Sequence, residues 1–157
     1  MVQDIPSDLP PGSQSGPLDA FLCFTVYSTG LAFNRVYKPL LDKLGLTYVQ
    51  YLVMVSLMDR NDQTVSELGD QLFLESNTLT PLLKRMEAAG LVTRTRDKKD
   101  ERVVRVRLTD QGRSVGCEAE CVPDEILAAT GLTREQLTDL QANLSKLHTT
   151  LRANAAS

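Results

Sequence analysis

The chain has 157 residues, 42% of them apolar, with 17 Lys and Arg against 20 Asp and Glu and a formal net charge of −3. That length suits one compact core, and an acidic total excludes a histone-like coat that attracts polyanions over its whole surface. No stretch approaches the roughly 18 apolar residues of a membrane span, and three cysteines with one histidine offer no zinc-ligand spacing, so neither membrane, metal nor cofactor is expected.

Met1 to Gly16 is rich in Pro, Ser, Gly and Asp and lacks both a basic n-region and an apolar h-region. It is expected to be a disordered tail rather than a signal peptide, which places the chain in the cytoplasm. Residues 17–157 are expected to form a single domain. Pro17 sits at a helix start, and Leu18 to Leu41 carries an apolar face that Pro39 should end or kink. Thr47-Tyr-Val-Gln50 is a capping box opening a helix through Met58.

Thr64-Val-Ser-Glu67 is a second box, starting a short helix. The next helix opens with Ser76 as its expected cap, keeps Leu79, Leu82, Leu83 and Met86 on one face, and stops at Gly90. Leu91 to Thr95 and Arg102 to Leu108 then read as strands flanking Arg96-Asp-Lys-Lys-Asp-Glu101. Thr109 caps a further helix that Gly116 loosens and Pro123 should interrupt. Thr133-Arg-Glu-Gln136 is a third box, and Leu137, Leu140, Leu144, Leu147 and Leu151 behind it are expected to be a seam buried within the chain or, so near the end of a small domain, against a partner subunit. His148, on the polar flank of that helix, is assigned no role.

The fold class that follows is mainly α with a small β-wing. A winged helix-turn-helix over about 47–112 is flanked by dimerisation helices over about 17–44 and 109–153. Such a module presents one helix to a DNA groove and a loop to another. From Arg94 to Arg107 there are seven Lys or Arg against three acids, a local charge of +4 on an acidic chain. Attraction to phosphate is thus expected to be confined to one face.

With the four apolar positions inward, Ser76, Asn77, Thr78, Thr80, Pro81, Lys84 and Arg85 face outward. The first four are placed for base edges or phosphate and the last two for backbone. Lys98, Lys99, Asp100 and Arg102 form the wing tip, where the Asp100 carboxylate can orient Arg102 for a narrow minor groove. A plain surface ion pair there would be worth well under about 1 kcal/mol. One winged helix per chain and a leucine seam imply a homodimer on a pseudo-palindromic double-stranded operator.

Ser66-Glu-Leu-Gly69, Leu79-Thr-Pro-Leu-Leu-Lys-Arg-Met-Glu87, Ala89-Gly-Leu-Val92, Asp100-Glu-Arg102 and Leu108-Thr-Asp-Gln-Gly112 resemble the MarR family of dimeric winged-helix repressors. Phe21-Leu-Cys-Phe24, Tyr37-Lys-Pro-Leu40 and Leu46-Thr-Tyr-Val-Gln50 are similar to its organic-hydroperoxide-sensing, OhrR-type branch. The resemblance implies that Cys23 is the peroxide-reactive cysteine and that Tyr37 and Tyr48 hydrogen-bond it across the dimer interface. It also implies an organic hydroperoxide as inducer.

The chemistry agrees. Cys23 has no Lys, Arg or His within ten residues, lies past the first turn of its helix, and needs donors such as two phenols to stabilise a thiolate. After oxidation a second thiol can trap the sulfenic acid. The resemblance implies that a resolving cysteine, where a member carries one, lies in a stretch matching Ile126 to Thr130, where this chain has Ala128 and Ala129. Cys121, beside Pro123, is preferred here, with Cys117 the alternative.

A second reading is a repressor released by a small phenolic or lipophilic ligand, with Cys23 a bystander. An enzyme is not expected, because the Arg and Thr with which thiol peroxidases surround their cysteine do not appear in that pattern.

Overall fold

Local capping chemistry sets most helix boundaries in the computed structural model, which describes Leu18 and residues 20–155. The reading of Met1 to Gly16 lies outside those residues. Helix α1 spans Leu22–Asp42 with Pro39 inside it, so Pro39 does not end it. Proline removes one backbone donor, and here the loss falls in the last turn, which Lys38 also braces through a 2.8 Å ion pair to Asp42. The chain divides into two compact units between Arg35 and Val36.

The first unit contributes the N-terminal part of α1, whose Leu22, Val26, Tyr27 and Leu31 are exposed. The second contains the rest. Helix α2 (Tyr48–Asp59) is capped by Thr47 in a complete box and buries Tyr51, Val53, Met54 and Leu57. Strand β1 (Gln63–Thr64) leads into α3 (Val65–Leu72), started by the Thr64–Glu67 box. Helix α4 covers Ser76–Ala88 and buries Leu79, Leu82, Leu83 and Met86. Strands β2 (Val92–Arg96) and β3 (Val104–Leu108) form the wing. Helix α5 (Asp110–Glu118), a 3-10 turn (Ala119–Cys121), α6 (Val122–Thr130) and α7 (Arg134–Ala155) complete the order.

One expectation needed correcting. Ser76 is not the cap of α4: Glu75 occupies the extended cap position without a side-chain cap bond, and Ser76 is already helical. The Glu75 carboxylate instead accepts from Asn77 Nδ2 at 3.1 Å. The leucine seam is not buried within the chain, since no residue of α7 is; Leu140, Leu144 and Leu151 are exposed. The interruption expected near Pro123 falls just ahead of it, at the 3-10 turn, with Pro123 in the first turn of α6 where its missing donor costs nothing.

The sheet has three strands in the order β1-β3-β2, all antiparallel, with β1 an addition that the two-strand reading lacked. Along β3, Val106 and Leu108 are buried while Arg105 and Arg107 alternate onto the other face. Gly112 makes the joint between wing and α5 possible: a Cβ there would lie 2.0 Å from the carbonyl oxygen of Leu91. Among the described residues no helix is long and apolar enough to cross a membrane.

Candidate nucleic-acid interface and tyrosine site

Helix α4 is set by the turn before it and the glycine after it. Phe73 closes α3 in the left-handed conformation, at φ 55°, and Gly90 takes φ 74° beyond α4. Between these bends the four apolar side chains lock one face inward. Ser76, Asn77, Thr78, Pro81, Lys84 and Arg85 are exposed on the other, with Thr80 half-buried among them. The leading turn is already ordered, because Thr78 Oγ1 donates to Asn77 Oδ1 at 3.1 Å while Asn77 reaches Glu75. Its free N–H groups and short polar side chains suit phosphate and base edges.

The wing tip is the turn 97–103, closed by Asp97 N–H donating to the Val103 carbonyl at 2.8 Å. Lys98, Lys99 and Asp100 are exposed there, and the Arg102 side chain is 95% exposed. The expected Asp100–Arg102 contact forms mainly through backbone: Asp100 Oδ1 accepts from Arg102 N at 3.0 Å, whereas the guanidinium stands 3.8 Å away. The carboxylate therefore shapes the turn more than it orients the arginine.

Three other wing arginines are not free. Arg94 donates from Nε and Nη2 to one oxygen, Glu87 Oε2 of α4, at 2.9 and 2.8 Å, and holds that carboxyl below its ordinary pKa. Arg105 and Arg107 both bond Asp62. Counting basic residues between Arg94 and Arg107 missed these partners because both acids lie outside that window.

Around Tyr37, in the second unit, three phenols gather. The Tyr37 and Tyr48 rings are 4.7 Å apart and Tyr37 and Tyr51 are 6.0 Å apart. Burial, and then the neighbouring phenols, push the Tyr37 pKa up to about 12. Tyr51 is raised as well, first by burial, then by Tyr48 and by Cys121. The cluster thus brings together Tyr37, Tyr48 and Tyr51.

Tyr51 itself was missed. Its spacing from Tyr48 in α2 looks like ordinary core, and it is buried like core. Cys23 is an exposed thiol on the part of α1 in the first unit, and Cys117 and Cys121 are exposed and free. His148 has a contact that its position on a polar flank gave no reason to expect: its ring lies 4.5 Å from Phe73, with Arg152 also over that ring at 4.6 Å.

A family model described as transcriptional regulator SarA/Rot matches residues 35–118. The chain is 46% identical over 140 residues to the HTH-type transcriptional regulator TtmR of Methylorubrum extorquens, covering 89% of this chain and 72% of that one. It is 44% identical over 134 residues to the organic hydroperoxide resistance transcriptional regulator of Bacillus subtilis, covering 85% and 89% respectively. Reduced AbfR bound to DNA superposes with a TM-score of 0.72 at 36% identity, over 84% of this chain and 90% of that one. AbfR, which comes from Staphylococcus epidermidis, has also been solved with a disulfide formed, with a TM-score of 0.59 at 35% identity over 87% and 90%.

Proposed function

The chain belongs to the SarA/Rot family of MarR-like winged-helix transcriptional regulators, which bind DNA, and on that premise we propose that it is a homodimeric repressor released from its operator by organic hydroperoxides. The observation that carries this reading is the phenol cluster. Tyr37 lies against Tyr48, and its pKa near 12 keeps it a proton donor at any pH where peroxide chemistry would occur. Protonated phenols can bond a thiolate or a peroxide oxygen without supplying the repulsion of a second anion.

In the proposed reaction the Cys23 thiolate attacks one peroxide oxygen. The O–O bond breaks, the alkoxide leaves and takes a proton to become an alcohol, and Cys23 is oxidised to a sulfenic acid. A second thiol then attacks that sulfur and expels water to form a disulfide. We take Cys121 as this thiol, donated by the other subunit, because it sits beside Pro123 where the helix is interrupted, with Cys117 the alternative. The resemblance to the Bacillus regulator supports the choice of inducer.

DNA contact is assigned to Ser76, Asn77, Thr78, Thr80, Pro81, Lys84 and Arg85 of α4 and to Lys98, Lys99, Asp100 and Arg102 of the wing. The test is a titration of operator binding with an organic hydroperoxide, for the native chain and for Cys23→Ser. Release of the native protein and retention of the variant are expected, since a hydroxyl is too weak a nucleophile at neutral pH. Equal release of both would overturn the sensing role of Cys23. Release of both by a phenolic ligand alone would favour the ligand-gated reading.

A further inference from the structure

We propose that Asp62 is a positioning residue for DNA recognition, one that ties the wing strand to the helical body and withholds Arg105 and Arg107 from phosphate. Asp62 lies in the turn between α2 and β1, far from the wing in sequence. Its Oδ1 accepts from Arg105 Nε at 2.7 Å, its carbonyl from Arg105 Nη2 at 3.0 Å, and its Oδ2 from Arg107 Nη2 at 3.0 Å. One carboxylate thus serves two guanidinium groups that share a face of β3.

The turn is built to keep it there. Asp62 is held at φ 67°, a conformation that Asp tolerates better than most residues. On one side, Asn61 Oδ1 accepts from Leu108 N at 2.9 Å. On the other, the fully buried Gln63 donates to the Ser56 and Arg60 carbonyls at 2.9 and 2.8 Å. The network also runs outward. Arg105 Nη1 reaches Asp97 Oδ2 at 3.3 Å, and Asp97 Oδ1 accepts from Lys99 N at 2.8 Å. Asp62, Arg105 and Asp97 therefore connect the helical body to the turn that presents Lys98, Lys99 and Arg102.

Exposure separates the clamped arginines from the wing tip: the Arg105 and Arg107 side chains are 30% and 44% exposed, and that of Arg102 is 95%. Without Asp62, two like charges on one strand face would repel each other and seek anions. The device sharpens selectivity, because non-specific binding comes almost wholly from such phosphate contacts. It rests on the wing meeting DNA and is independent of peroxide chemistry.

The test compares salt-dependent binding of operator and unrelated duplex by the full chain. Asp62→Asn keeps the size and the tolerance of positive φ but loses the charge. It should steepen the salt slope by about 0.9 for each arginine that reaches a phosphate, and lower the ratio of operator to non-specific affinity. Adding Arg105→Gln and Arg107→Gln to that variant should restore the parental slope. In the parent, Arg107→Gln alone should leave the slope unchanged.

A folded Asp62→Asn protein with parental slope and ratio overturns the proposal, as does a shallower slope for Arg107→Gln. If Asp62→Asn does not fold, the double Arg105→Gln, Arg107→Gln variant decides: an unchanged slope supports the clamp, and a reduced slope overturns it. Arg102→Ala is the control for the wing itself. Should it bind operator and unrelated duplex like the parent, the wing does not read DNA and the clamp falls with it. Should it lose operator affinity while Asp62→Asn changes nothing, the clamp alone is wrong.

Discussion

A phenol with a pKa near 12 stays protonated through neutral and mildly alkaline pH, and Tyr37 meets that condition because it is half-buried against Tyr48 and Tyr51. A hydrogen bond from such a donor to a charged partner is worth about 1.5–3 kcal/mol, and its loss should raise the pKa of the thiol it serves by about one unit or more. Tyr37→Phe and Tyr48→Phe are therefore expected to keep operator binding and to slow the reaction of Cys23 with peroxide. A thiol pKa measured by its pH-dependent alkylation decides the point, and unchanged values in both variants would assign the anion's stabilisation elsewhere. That Tyr37 and Tyr48 come together was legible because short motifs around them repeat a known pattern. Tyr51 was not: nothing in an apolar helix distinguishes a third ring of a site from a core residue, and only the packing of α2 beside Tyr37 does.

Elements were legible to the extent that their signals are local. The boxes at Thr47 and Thr64 close within three residues, and both form as read. Strand β1 escaped notice because it is two residues long and carries the cap of the next helix, so its pairing with Val106 and Arg105 is purely long-range. The Asp62 clamp escaped for the same reason, since its partners are 43 and 45 positions away. Gly112 shows a motif glycine whose reason is steric. Gly112→Ala would drive a methyl group into the Leu91 carbonyl, and overpacking of this kind costs about 1–3 kcal/mol or more. A lowered midpoint in urea with unchanged m would register it, and a midpoint like the parent's would show that the joint yields.

The wing also carries a pH dependence. Glu87 is held below its ordinary pKa first by Arg94, Asp62 first by Arg105, and Asp97 first by the Lys99 N–H. A carboxyl with a depressed folded pKa stabilises above the unfolded value near 4, and the benefit is lost as pH falls through the folded value. Wing amides should therefore lose hydrogen-exchange protection below about pH 4 before those of α2 do. Parallel loss in both would mean that these pairs do not hold the wing.

At the scale of the whole molecule, the surface left uncovered by one chain is the strongest argument for a second. Leu140, Leu144 and Leu151 of α7 are 42%, 44% and 58% exposed, and Leu22 and Val26 of α1 are 62% and 45% exposed. Apolar side chains repeated along a helix without intrachain cover are stable when a partner subunit buries them. Joining two winged helices in one dimer turns the second DNA contact into an intramolecular event, which raises affinity by a factor of about 10² to 10⁴. A homodimer of this kind is expected to meet half-sites about one helical turn, some 34 Å, apart. Leu144→Glu tests this because residue 144 is exposed in the single chain, so the charge should spare the fold while burying badly in an interface. The expected result is a monomer by sedimentation, with the helical content of the parent and operator affinity lowered toward that of a single half-site. A variant that remained dimeric with full affinity would move the interface away from α7, and a native chain found as a monomer on one half-site would end the dimer reading altogether.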